Sequence, residues 1–168
     1  MFYAVEKACE SALAALAAGD RSALATLYER MGRSVFSVAY AVTGNYHDAE
    51  DVLQETMPDA FRCASAYRQG TSACAWLLSI ARHKAVDCLR RASVRRAEPL
   101  DDVPAAEPGY AAVEALELLR FLDEGEREVV ILCVYTALPY KELAALLGIT
   151  VPAAQKRYQR AMKKLRAL

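Results

Sequence analysis

Residues 139–168 read PYKELAALLGITVPAAQKRYQRAMKKLRAL. Pro139 suits the first turn of a helix, where its missing N–H costs nothing. Leu143, Leu146 and Leu147 then recur at helical spacing on one face. Gly148 is a natural residue to end that helix, because it takes a positive φ without a Cβ clash. Thr150 can cap a second helix, and Pro152 falls early enough in it to be tolerated. Two short helices around a tight glycine turn make a helix-turn-helix pattern.

The second helix carries the chemistry. From Thr150 onward Lys156, Arg157, Arg160, Lys163, Lys164 and Arg166 are basic and no residue is acidic. Ala154, Tyr158, Ala161 and Leu165 can face inward, which turns Gln155, Lys156, Gln159 and Arg160 mostly outward. Glutamine and arginine can read base edges in a major groove, and the distal cations can neutralise phosphates. The bland alternative is a solvated C-terminal helix whose cations suit its dipole.

At 168 residues, with 55% hydrophobic and 25% charged residues, the chain is folded and holds one ordinary domain or two small ones. Helix formers dominate and no stretch alternates with period two for long, so the expected fold is all-α. The formal net charge is zero, which argues against indiscriminate coating of nucleic acid. It conceals a segregation: Asp48, Glu50, Asp51 and Glu55 cluster within 44–57, whereas 82–96 and the last helix are basic. Acidic and basic faces imply different partners. The N-terminus lacks the apolar run of a signal peptide, and no segment approaches the roughly 20 apolar residues that span a bilayer. The five cysteines, Cys9, Cys63, Cys74, Cys88 and Cys133, form no CxxC pair and read as reduced, mostly buried thiols of a cytoplasmic protein.

Outward from the helix-turn-helix, residues 126–134 form an apolar helix core through Val129, Val130, Leu132, Cys133 and Val134. Asp123 and Glu126 make a capping-box start. Val113, Leu116, Leu119, Phe121 and Leu122 mark a helix before it. The stretch SVRRAEPLDDVPAAEPGY, residues 93–110, holds three prolines and reads as a linker. Upstream, residues 2–18 form an amphipathic helix ending at Gly19. Asp20 or Ser22 can cap the next, whose core stripe is Leu24, Leu27, Tyr28, Met31, Val35, Val38, Ala39 and Val42. A third helix starts near Tyr46, with Ala49, Val52, Leu53, Thr56 and Ala60 inward and Asp51, Gln54 and Glu55 outward. Pro58 is expected to kink or end it. Ser65 to Ser72 reads as a loop. Thr71 or Ser72 can start a helix to about Ala92, with Trp76, Leu77, Ile80, Ala81, Val86 and Leu89 apolar and Arg82, His83, Lys84, Arg90 and Arg91 basic. Trp76 suits the core better than base stacking, and His83 has no metal partner.

Four stretches, AEDVLQET (49–56), AWLLSIARHKAVDCLRR (75–91), EREVVILCVY (126–135) and YKELAALLGIT (140–150), together resemble the extracytoplasmic-function sigma factors of the sigma-70 family. The resemblance implies a region 2-like helical domain over 1–97, a linker over 98–110 and a region 4-like domain over 111–168. It implies docking of Asp51, Gln54 and Glu55 on core RNA polymerase. It places Arg82, His83 and Lys84, with the Ser65–Ser72 loop, on the −10 element and its opened strand. Gln155, Lys156, Gln159 and Arg160 would read the −35 duplex, with Arg157 and Lys163 nearer its backbone. An anti-sigma factor is an implied partner, alongside promoter DNA. No cofactor, metal site, membrane insertion or catalysis is expected.

The chain departs from the family at Pro58, where a helix former is usual, and at His83, where asparagine is common. It departs again at 152–157, where PAAQKR stands for Gly-Thr-Val-Lys-Ser-Arg. A sigma mimic that titrates an anti-sigma factor, and a dimeric operator-binding regulator, are the competing readings. The basic last helix argues against the first, and the absence of heptads against the second.

Overall fold

A computed structural model describes residues 2–95 and 118–167. Among them are seven α-helices and no strand: α1 (Phe2–Ala17), α2 (Ala23–Thr43), α3 (Tyr46–Cys63), α4 (Ala73–Arg95), α5 (Glu124–Ile131), α6 (Tyr140–Leu147) and α7 (Val151–Leu165). The 3-10 turns Ala64–Ala66 and Leu119–Phe121 and a π-helical turn, Leu132–Thr136, complete the set. The expected linker, Val113 and Leu116 lie outside the described residues, apart from the linker's first residues, which continue α4 to Arg95.

Helix α2 is the central strut. Its C-terminal half is buried nearly all round, from Ser34 to Ala39 and from Ala41 to Thr43. That is the pattern of a helix with neighbours on every side, here α1, α3, α4 and α5. Its N-terminal half is one-sided: Tyr28, expected in the core, is 48% exposed. Asp20 starts the helix, its carboxylate accepting from the Ser22 backbone at 3.0 Å and hydroxyl at 2.6 Å. Gly44, at φ 64°, ends it and donates to the Tyr40 carbonyl at 2.8 Å.

Asn45 then caps α3, its side chain accepting from the Asp48 N–H. The inward set Ala49, Val52, Leu53, Thr56 and Ala60 is buried as expected. Pro58 does not end the helix, which continues to Cys63. Pro58 lies on the exposed side, while Thr56, Met57 and Ala60 are buried around it.

Helix α4 buries Ala73, Cys74, Leu77, Leu78, Ala81 and Ala85. Each fully buried leucine contributes about 1.5–3 kcal/mol. Val86, expected on this face, is 40% exposed, because one residue beyond Ala85 the helix has turned by about 100°. Trp76 is half-buried, edge-on to Tyr67 with ring centroids 5.7 Å apart.

The second half starts at the expected capping box: Asp123 accepts from the Glu126 N–H at 2.8 Å and Glu126 from the Asp123 N–H at 3.3 Å. Val129 and Val130 are buried, but Val134 is 59% exposed. The π-helical turn widens the helix after Ile131 and carries that position off the core face. The two halves share one apolar core. Val38 and Ala41 of α2 face Ile131, Leu132 and Leu147, and Ser34 donates its hydroxyl to the Tyr135 carbonyl at 3.2 Å.

Candidate nucleic-acid interface

The helix-turn-helix forms as the sequence predicts. Gly148, at φ 64°, closes α6 and Thr150 caps α7, accepting from the Ala153 N–H at 3.3 Å. Ala154 and Ala161 are buried, and Tyr158 and Leu165 are half-buried. The opposite face presents Gln155, Lys156, Gln159, Arg160 and Lys163 to solvent. Arg157 is half-buried, its guanidinium against Gly125, where an added Cβ would meet Nη1 at 3.0 Å. Lys164 turns inward instead, its Nζ donating at 2.6 Å to the buried Glu126 carboxylate. The cations of α7 therefore divide into an outward set and two residues, Arg157 and Lys164, that lie against α5.

Arg82, His83 and Lys84 are consecutive in α4, so about 100° separates each from the next. They point to three places. Arg82 reaches α5, with Nε donating to Glu128 Oε1 at 3.0 Å and Nη2 to Oε2 at 3.3 Å. His83 is exposed. Lys84 bridges to α3, pairing with Asp59 and, at 3.4 Å, with Glu55. The hydrogen bond from Lys84 holds the Asp59 carboxyl below the usual carboxylate range, with Arg62 adding to the effect.

Asp51, Gln54 and Glu55 are all exposed on α3. Residues 51, 54 and 55 share one helix face by their three- and four-residue spacing, and Lys84 borders it.

The loop before α4 is a short 3-10 turn followed by a closed bend. Tyr67 donates its hydroxyl to the Thr71 carbonyl at 2.6 Å, and Thr71 donates its own to Arg68 O at 2.7 Å. Burial and the nearby Glu10 charge push the Tyr67 phenol up. Arg68 and Gln69 stand exposed at the tip.

Four acids that the sequence pattern does not single out belong to these surfaces: Glu6 and Glu10 behind the loop, Glu128 opposite Arg82, and Asp59 beside Lys84. Glu128 carried a weak signal, a charge directly before the apolar run that starts at Val129. Glu6 and Glu10 carried little, since their partners lie 60 or more positions away. Of the cysteines, Cys9 and Cys74 are buried, Cys88 and Cys133 half-buried and Cys63 exposed, so burial is less general than expected.

This arrangement, a helical bundle with an acidic helix face joined to a helix-turn-helix, is matched over most of its length by known families. Sigma-70 region 2 matches residues 27–95, and Sigma-70, region 4 matches residues 112–165. The chain belongs to the extracytoplasmic-function RNA polymerase sigma factors, the promoter-selecting subunits of transcription initiation. It is 32% identical to the ECF RNA polymerase sigma factor SigE of Mycolicibacterium smegmatis, over 89% of this chain and 64% of that protein. It is 30% identical to SigM of Mycobacterium tuberculosis, over 97% of this chain and 85% of that one. It is 32% identical to CnrH of Cupriavidus metallidurans, over 90% and 89%. A solved structure of CnrH in complex with the cytosolic domain of CnrY overlays with a TM-score of 0.72 at 28% identity, covering 95% of this chain and 96% of that one.

Proposed function

We propose that this chain directs core RNA polymerase to promoters by dividing the work among three surfaces. The observation that carries the reading is the outward face of α7. Gln155, Lys156, Gln159 and Arg160 are exposed on a helix whose other face is buried and whose start is fixed by a capped glycine turn. That geometry suits duplex reading in the major groove, with Arg157 and Lys163 nearer the phosphates. Asp51, Gln54 and Glu55 dock on the polymerase. The 67–72 bend, with Arg82, His83 and Lys84, engages the −10 element and its opened strand.

Arg82 and Lys84 are paired within the chain, so each serves DNA only by exchanging a carboxylate for a phosphate. Arginine binds both in the same forked geometry. The boundaries that suit this division are 1–97 for the region 2 unit and 111–168 for the region 4 unit. The contribution is binding energy: opening a base step costs a few kcal/mol, recovered from captured bases and from the polymerase. An anti-sigma factor is the remaining partner, supported by the overlay with CnrH bound to the cytosolic domain of CnrY. The reading places the chain in the cytoplasm with the polymerase.

The test is to mix the protein with core polymerase and sequence transcripts initiated on a randomised promoter library. A two-element consensus is the expected result. Start sites no different from those of core polymerase alone would reject the reading and favour a sigma mimic.

A further inference from the structure

Helix α1 lies outside the residues matched by region 2, yet it reaches the 67–72 loop. Glu6 accepts from the Ser72 hydroxyl at 3.0 Å, from the Ala73 N–H, and from the Cys74 N–H at 3.3 Å. Glu10, one turn further along α1, accepts from the Gly70 N–H at 3.2 Å. Both carboxylates are half-buried.

These bonds do more than cap α4. Ser72 already supplies an ordinary cap, its hydroxyl oxygen accepting from the Ala75 N–H at 3.1 Å. Glu6 takes the N–H groups that Ser72 leaves over and fixes the Ser72 hydroxyl as well. Glu10 holds the bend at Gly70, whose φ of 84° suits glycine. Together they pin the exit of the loop at two points, while the Tyr67–Thr71 and Thr71–Arg68 bonds close it on itself. The side chains of the tip, Arg68 and Gln69, are left exposed.

The electrostatics support a dedicated purpose. A carboxylate beside a path for phosphates repels them unless its charge is absorbed. Here the donors of the α4 N-terminus and the positive end of its dipole absorb the charge of Glu6.

We propose that Glu6 and Glu10 are positioning residues for promoter opening, holding the 67–72 loop from behind in the shape that receives an unstacked base. This rests on the reading that the loop engages the opened strand. Neither carboxylate touches DNA; each acts through the backbone it holds.

The test uses the full chain with core polymerase and a library randomised separately at the −10 and −35 elements. Glu10→Ala removes one loop bond and leaves the α4 cap in place. Base preference at the −10 element should flatten by about three- to tenfold, the scale of one net hydrogen bond. Preference at the −35 element and affinity for core polymerase should match the native chain. Glu10→Gln keeps an acceptor for the Gly70 N–H and should restore most of the preference. Glu6→Ala should act in the same direction and more strongly.

If Glu10→Ala lowers thermal stability but keeps the native −10 preference, the bonds are structural only and the proposal is overturned. Equal loss at both elements overturns it too. Failure of the native chain to select any start site would instead strike down the parent reading, and this inference with it.

Discussion

Arg82 and Glu128 stand 46 positions apart and form a two-point ion pair between α4 and α5, with N–O distances of 3.0 and 3.3 Å. Glu128 is 8% exposed at its side chain and Arg82 27%. The pair therefore sits at the edge of the contact between the two halves, with Val38, Ala41, Ile131, Leu132 and Leu147 around it. Among the described residues Arg82 is the cation paired with the buried Glu128 carboxylate, so the residue proposed for DNA also ties α4 to α5.

Glu128→Gln should separate these two duties. It removes the charge that competes with phosphate while keeping the side chain's volume. Stability in a urea titration should fall by about 1.5–3 kcal/mol, the worth of a hydrogen bond to a charged group. Affinity for opened promoter DNA, read by fluorescence anisotropy, should rise. Arg82→Ala should lower both. Unchanged DNA affinity in both variants would remove Arg82 from the interface.

On α7 the outward residues should divide by role. Arg160→Ala should cost about 1–3 kcal/mol of −35 duplex affinity and relax preference at one base pair. Lys163→Ala should weaken all duplexes alike and lower the salt slope of binding by about 1. The check is a set of salt titrations on matched and mismatched duplexes. Equal behaviour of the two variants would refute the division into base-reading and phosphate-facing residues.

Acid should loosen one tie between helices and one helix cap. The Lys84 hydrogen bond holds Asp59 below the ordinary carboxylate value, and the Glu126 backbone N–H does the same for Asp123. A folded-state value below the unfolded one means the contribution is complete above about pH 4 and disappears as pH falls through the folded value. Stability measured by denaturant should therefore be level near neutrality and decline on acidification. Asp59→Asn should be weaker at neutral pH and decline less steeply. A parallel curve for that variant would show that Asp59 contributes nothing to the acid limb.

Much of this was legible in the sequence where the signals are local. The Asp123–Glu126 box, the Gly148–Thr150 turn and the one-sided stripe of α7 depend on neighbours within four residues, and each formed as patterned. The misses are tertiary. Tyr28 and Val134 have helical spacing but stand exposed among the described residues, and Val86 falls one step past the stripe carried by Ala85. Arg82, His83 and Lys84 read as one basic patch, yet consecutive helical residues cannot share a face. Their divergence toward α5, solvent and α3 follows from that geometry. Glu6 and Glu10 became visible only once α1 was seen lying behind residues 70–74.

Pro58 is the residue whose expected effect the fold most clearly limits. It sits in the interior of α3 with no N–H to donate, and the helix runs past it to Cys63. Burial of Val52, Leu53, Thr56, Met57 and Ala60 along the same helix outweighs the loss. The Thr56 hydroxyl donates to the Val52 carbonyl at 2.6 Å, within the turn that precedes the ring. Pro58→Ala restores a backbone donor at an exposed position without adding volume to the core. It should raise stability by about 1–3 kcal/mol, as expected for removing proline from a helix interior. Chemical denaturation of the variant beside the native chain measures this directly. Affinity for core polymerase should not fall, because Asp51, Gln54 and Glu55 lie on the turns before Pro58. A fall in that affinity together with a gain in stability would mean that the proline shapes the docking face.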